Sequence, residues 1–223
     1  MITINRIDCP DILKQGKNPK SKGELETIDA LKFFSDQNNH TSTYRKTGTT
    51  TVGYKIYSDD SVRKVLLNMF NGKCAYCGAS IDLIKKTEFE IDHFLYEKAP
   101  IFATKKDAGY MGNLILSCHD CNHNKNSFWI EKEEMDTLNP DGEKIKNVFI
   151  RDDKYYIWIN DEFKENTTIE GFYNKLCLGS ELHRLDYLIM NIIGLRRSCE
   201  DNSDLYVGLG KILDIIREKR NIM

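Results

Sequence analysis

No uninterrupted apolar run in the 223 residues approaches the roughly 20 needed to cross a bilayer as a helix, so no membrane span is expected. Residues Met1–Arg6 lack the basic start and apolar core of a secretion signal, which makes the cytoplasm the expected location. Low-complexity tracts are absent. A basic excess is missing as well: 32 Lys and Arg face 34 Asp and Glu, for a formal net charge of -2. A protein that grips a polyanion unaided usually carries such an excess, so either the basic residues are gathered on one face or a partner subunit supplies the grip, the reading favoured here. What remains is the composition of a soluble globular protein, long enough for one sizeable core or two small ones.

Against this background the cysteines are unevenly placed. Four of the seven fall in two pairs, Cys74-Ala75-Tyr76-Cys77 and Cys118-His119-Asp120-Cys121. Thiolates at this spacing can face one ion, and two such pairs complete a tetrahedral sulfur shell with no other ligand. Such a shell is structural, because a catalytic zinc keeps an open position and four thiolates leave none. Disulfides or unrelated core cysteines are the plainer alternative, disfavoured by the doubled spacing and the expected reducing compartment.

Between the pairs lie Glu90-Ile91-Asp92-His93 and Gly112-Asn113-Leu114, and after them Asn122-His123-Asn124-Lys125-Asn126. Asp92 is a hard oxygen ligand suited to a magnesium-like cation, and His93 carries the side chain whose ordinary pKa lies nearest neutrality. Adjacent strand residues point to opposite sides, so the chain must bend for both to serve one site. Glu90 shares a strand face with Asp92, which allows it to support the metal, but it reads first as an exposed carboxylate. His119 and His123 read as solvent-facing or supporting residues, with His123 a substitute if Asn122 does not serve.

Around this stretch the chain divides into an arm and loop region (1–60), a core (61–130) and a hairpin with helices (131–223). Residues 2–8 read as an extended arm, 27–34 as a short helix and 35–53 as a polar loop whose Arg45 and Lys46 are solvated. Ser61–Asn71 reads as a helix with Val62, Val65, Leu66 and Met69 on one face and Gly72 as its stop. Glu88–Phe94 and Leu114–Leu116 read as strands, joined by a long loop carrying Lys98, Lys105 and Lys106, and Cys118 to about Phe128 begins as a helix. Beyond a turn at 138–142, Asn147–Ile150 and Tyr155–Ile159 read as a hairpin. Helices follow, from the spacing of Leu182, Leu185, Leu188, Ile189, Ile192 and Ile193 and of Leu205, Leu209, Ile212, Leu213 and Ile216. His183 reads as surface, Cys177 and Cys199 as core, and Cys9 has no assignment.

The order Cys-x-x-Cys, Asp-His, Asn, Cys-x-x-Cys-Asn resembles the HNH (ββα-metal) endonucleases. That resemblance implies an α+β fold: a ββα-metal core with a structural four-cysteine zinc site, embedded in a mostly helical domain with a C-terminal hairpin and helices. It implies His93 as general base, Asp92 as ligand of the catalytic Mg2+ or Mn2+, and Asn113 as the residue that pins the loop orienting the base. The family's last position, on a helix just after the last cysteine, is occupied here by Asn122 rather than His, with Asn126 one helical turn further on the same face as a second ligand. Lys125 is expected to contact a phosphate, with Lys98 and His123 also on the substrate side.

A closer resemblance is to the PtuB-like HNH subunits of Septu and retron anti-phage systems, carried by Cys74–Cys77, Ile91–Phe94, Asn113–Cys118, Cys121-Asn122 with Lys125, Ile4-x-Arg6 and Asn139-Pro140. It implies a partner ATPase (PtuA-like), consistent with the missing basic excess. One departure is Leu95-Tyr96-Glu97-Lys98, where such proteins often carry Pro-Lys.

Each assignment has a bland rival: His93 as a structural strand histidine, Asn113 as a turn residue, Asn122 as a helix cap. At the level of function the readings are a DNA endonuclease working with an ATPase, a nuclease aimed at RNA such as tRNA, and a zinc-stapled nucleic-acid-binding module that does not cleave.

Overall fold

The computed structural model describes residues 63, 66–67, 70–103, 108, 113–140 and 144–222. The expected arm, helix and loop within residues 1–60, with Cys9, Arg45 and Lys46, lie outside the described residues, as do Lys105, Lys106 and Gly112. Of the helix expected at 61–71, Arg63, Leu66 and Leu67 are helical. It ends where expected: Gly72 donates its N–H to the Leu67 carbonyl at 2.6 Å, with Asn71 and Gly72 both at positive φ.

The cysteine-rich turn follows at once. Lys73 bridges Ser80, Cys74 N–H meets the Ala79 carbonyl at 2.9 Å, and Gly78 N–H returns to the Cys74 carbonyl at 3.0 Å. Gly78 stands at φ +77, a conformation in which a side chain would be strained, so the residue after Cys77 is glycine for a steric reason. Ala75 N–H bonds the Leu116 carbonyl at 2.8 Å, which ties this turn to the sheet.

That sheet is a pair of antiparallel strands, β1 (Phe89–His93) and β2 (Leu114–Cys118), in the register Phe89↔Cys118 through His93↔Leu114. Helix α1 (His119–Lys125) starts directly after β2 and packs on both strands. Strand, strand and helix thus form the expected ββα unit. β2 is buried along its whole length, and β1 is buried except at Glu90. A short helix α2 (Ile145–Val148) precedes the second hairpin, β3 (Phe149–Arg151) with β4 (Ile157–Ile159). Asn147 and Val148 were expected in that strand and are helical instead; the hairpin is shorter because α2 ends only where the extended backbone of Phe149 begins.

Three helices complete the chain. In α3 (Thr167–Lys175) the Asn166 side chain caps the N-terminus, accepting from Thr168 N–H and Ile169 N–H at 3.0 Å each. Ser180 caps α4 (Glu181–Arg197), and α5 (Asp204–Ile222) packs against α4, with Leu209 and Leu213 its buried residues.

One apolar cluster joins the ββα unit to the hairpin and α3. Tyr76 meets Phe172 edge-on at 5.9 Å between ring centroids, and Phe149 stacks on Phe172 at 6.3 Å. Each fully buried ring contributes about 1.5–3 kcal/mol relative to exposure, so α3 acts as a wall behind the cysteine turn. The helical periodicity of the last third holds, but two assignments there do not. His183 is buried, with Nε2 3.2 Å from the Leu176 carbonyl. Cys177 is exposed and Cys199 half-exposed, because each sits just past or at a helix end rather than on its inner face. No helix among the described residues is long and apolar enough to cross a membrane.

Candidate active site and metal centre

Cys74 and Cys77 come from the turn, Cys118 from the last position of β2 and Cys121 from the first turn of α1. Their sulfurs all lie within 4.8 Å of one another, and all four residues are buried and free of disulfides. The Sγ atoms of Cys77 and Cys118 are 3.9 Å apart. A tetrahedral zinc with bonds of about 2.3 Å requires sulfurs about 3.8 Å apart, so the donor set fits that ion in both chemistry and size.

The second centre is built on the opposite side of Tyr76. The phenol belongs to the cysteine turn, yet its hydroxyl donates to Asp92 Oδ2 at 2.6 Å. Lys125, at the end of α1, places its ammonium 3.1 Å from the same oxygen and donates to the His93 carbonyl at 2.8 Å. Lys125 was expected to reach a phosphate. Its side chain is 0% exposed, so it holds the two strand residues from inside. Burial pushes the Asp92 carboxyl above the ordinary carboxylate range, against the pull of the ammonium and the phenol.

His93 is buried too, with Nδ1 3.8 Å from Glu97. Desolvation first, and the nearby Lys125 charge second, lower its pKa to about 4. The imidazole is therefore neutral at physiological pH and able to accept a proton. β1 keeps its ladder through His93, and the bend expected there falls one residue later, at Phe94-Leu95. Asn113 fixes that bend. Fully buried, it accepts from Leu95 N–H at 2.7 Å and donates to the Leu95 and Ala108 carbonyls at 2.9 Å each, while its own carbonyl accepts from Phe94 N–H at 2.8 Å. It is more than a turn residue: it clamps the segment that follows the histidine.

Asp92, His93, Asn122, His123 and Asn126 line one open cleft of about 710 Å³, whose rim includes Lys98, Tyr96 and Glu97. Asn122 lies within α1, whose cap is Cys118, so the capping alternative for Asn122 does not apply. Asn126 has left the helix at φ +46, yet its N–H still bonds the Asn122 carbonyl at 2.9 Å and it stays on the cleft. Lys98 and His123 are exposed. Glu90, read from sequence as merely exposed, is half-buried and bridges to α1: Oε1 lies 2.8 Å from His119 Nδ1, and Oε2 accepts from Asn122 Nδ2 at 2.6 Å. The available signal was positional, since Glu90 shares the face of Asp92, but nothing local revealed the helix that covers it.

Among the described residues, the four cysteines form the one close group of three or more His, Cys, Asp or Glu side chains. The cleft offers a cation the Asp92 carboxylate and amide oxygens such as that of Asn122, with His123 and Glu97 also on its lining and water or phosphate for the remaining positions. That donor set suits magnesium or manganese, which keep waters and take few carboxylates.

Comparison with known proteins agrees with this geometry. Residues 74–128 match the family described as HNH endonuclease. The chain is 35% identical over 137 residues to the Septu protein PtuB of Bacillus mycoides (strain KBAB4), covering 56% of this chain and 45% of that protein. It thus spans less than half the length of the curated relative it matches. No solved structure matches the chain. The sulfur shell, the ββα unit, the family match and this relative together support an HNH, PtuB-like protein.

Proposed function

We propose that this chain is a metal-dependent endonuclease that hydrolyses phosphodiester bonds in DNA, as the nuclease component of a Septu-type bacterial anti-phage system acting with an ATPase subunit. The observation that carries the reading is the cleft where a neutral imidazole, a buried carboxylate and an amide-bearing helix face converge, Asp92, His93 and Asn122. His93 takes a proton from the attacking water, for which its neutral state at physiological pH leaves it available. Asp92 and Asn122 would hold the cation, with Asn126 beside them. A magnesium ion bound there supplies charge stabilisation at the phosphorus centre and the leaving oxygen. Asn113 keeps the backbone after His93 fixed, and Lys125 keeps Asp92 and the His93 carbonyl in register from behind. Lys98 and His123 are exposed on the cleft, which supports a role for them in meeting the backbone of the polymer.

The partner half of the proposal draws on charge. Basic side chains of the C-terminal helices are engaged by neighbouring acids: Arg184 and Lys219 with Glu181, Arg197 with Asp82, Arg220 with Asp186. These pairs, with the net charge of -2, fit a subunit that borrows its grip from another protein. The relative's name carries the Septu assignment.

The test is cleavage of plasmid DNA and, in parallel, of tRNA, by the purified chain with and without an ATPase encoded beside it, in magnesium and in EDTA. Magnesium-dependent DNA cutting that disappears in His93→Ala and Asp92→Ala, with zinc content unchanged, supports the proposal. Cutting of tRNA alone transfers it to RNA, and cutting that survives His93→Ala removes the histidine from its role.

A further inference from the structure

The structure assigns Glu90 as the positioning residue that turns the Asn122 side-chain oxygen toward the cleft. This rests on the reading of Asn122 as a cation ligand.

An asparagine amide presents an oxygen on one side and an NH2 on the other, and only the oxygen binds a cation. Nothing intrinsic to the residue chooses which end faces the site. At Asn122 the choice is made by its neighbour. Glu90 Oε2 lies 2.6 Å from the amide nitrogen, and a carboxylate only accepts hydrogen bonds. The NH2 group must therefore face Glu90, and Oδ1 is directed away from it, on a residue that lines the cleft with Asp92 and His93. Glu90 is itself held by its other oxygen, 2.8 Å from His119 Nδ1 one helical turn before His123, and by its place on β1 two residues from Asp92. Strand and helix are joined by this half-buried carboxylate through Asn122 and by the buried Lys125 through Asp92 and the His93 carbonyl. A histidine at the Asn122 position would need no such arrangement, since either ring nitrogen can serve as a donor to the ion; an amide does.

Metal affinity of the full chain decides the matter. Manganese is titrated alone, with free Mn2+ followed by electron paramagnetic resonance, into wild type, Glu90→Gln, Glu90→Met and Asp92→Ala, each checked for thermal unfolding and zinc content. Both Glu90 variants lose the charge, but only glutamine keeps an oxygen that can accept from Asn122. Wild-type affinity is expected to persist within about threefold in Glu90→Gln and to fall about 10- to 100-fold in Glu90→Met, the range seen when a ligand's supporting partner is removed. The magnesium concentration for half-maximal cleavage should move by the same factor, with the rate at saturating metal nearly unchanged. Equal affinities in the two Glu90 variants, whether both retained or both weakened, overturn the inference, since orientation of the amide is then not what Glu90 supplies. A wild type that binds no manganese, or one indifferent to Asp92→Ala, overturns the reading beneath it as well.

Discussion

Lys125 and Asp92 form an ion pair of 3.1 Å with the lysine side chain fully buried. The ammonium spends its remaining capacity inside the protein, on the His93 carbonyl at 2.8 Å. Removing one partner of such a pair strands the other as a buried charge, at a cost of about 3–5 kcal/mol. Lys125→Met should therefore lower unfolding stability by that amount in urea titrations. The slope of DNA affinity against salt should stay at its wild-type value, whereas loss of a true phosphate contact would reduce it by about one ion. A shallower slope with unchanged stability would contradict the structure.

Asn113→Ala removes the acceptor for Leu95 N–H and the donor for the Leu95 and Ala108 carbonyls, in a place that is fully buried. Unsatisfied groups of this kind cost about 1–3 kcal/mol each, so the variant should unfold at least about 2 kcal/mol more readily. Amide hydrogen exchange at Phe94 and Leu95 should accelerate more than at β2, because the damage is local to the segment after His93. Uniform acceleration would indicate a global effect instead.

The sulfur cluster makes a compositional prediction. One zinc per chain should be found by elemental analysis, and Cys121→Ser should reduce both that content and the thermal stability, since zinc-binding energy of about 10–16 kcal/mol is also folding energy. Stoichiometric zinc in a Cys121→Ser chain of unchanged melting temperature would show that the four sulfurs are not a shared shell.

His183 carries a pH dependence of stability. Burial lowers its pKa in the folded state, its Nδ1 has no hydrogen-bond partner, and the unfolded chain returns it to about 6.5. The folded state thus binds fewer protons than the unfolded one as pH drops, so stability present above about pH 6.5 is lost as pH falls toward the folded value. His93, with its folded pKa of about 4, contributes with the same sign. His183→Gln should unfold with a shallower pH dependence between pH 7 and 5 than wild type; an identical slope would mean that the imidazole is solvated.

The comparison of sequence with structure divides along the range of the interactions. The cysteine pairs, the Asp92-His93 dyad and the order strand, strand, helix were legible because their determinants are spacings of a few residues. Asn113 was legible in part: Gly112-Asn113 announces a turn, and only the fold shows the side chain spanning to Leu95 and Ala108. Lys125 misled because a lysine three residues after Asn122 is read by charge, and charge alone cannot reveal a pocket built from Tyr76, Asp92 and a strand carbonyl. Glu90 and His183 were misjudged for the complementary reason: each looks polar along the chain and is covered by an element distant in sequence. The final helices were periodic enough to be placed, while Cys177 and Cys199 depended on where those helices stop.

Tyr76 has a consequence for the chain's robustness. It is flanked by two sulfurs of one centre and ends on the carboxylate of the other. An oxidant that strips thiolates from the turn therefore also disturbs the phenol that holds Asp92, leaving Lys125 as the other partner of the same carboxylate oxygen. Hydrogen peroxide titration should show cleavage and zinc declining together, ahead of any loss of helical circular dichroism.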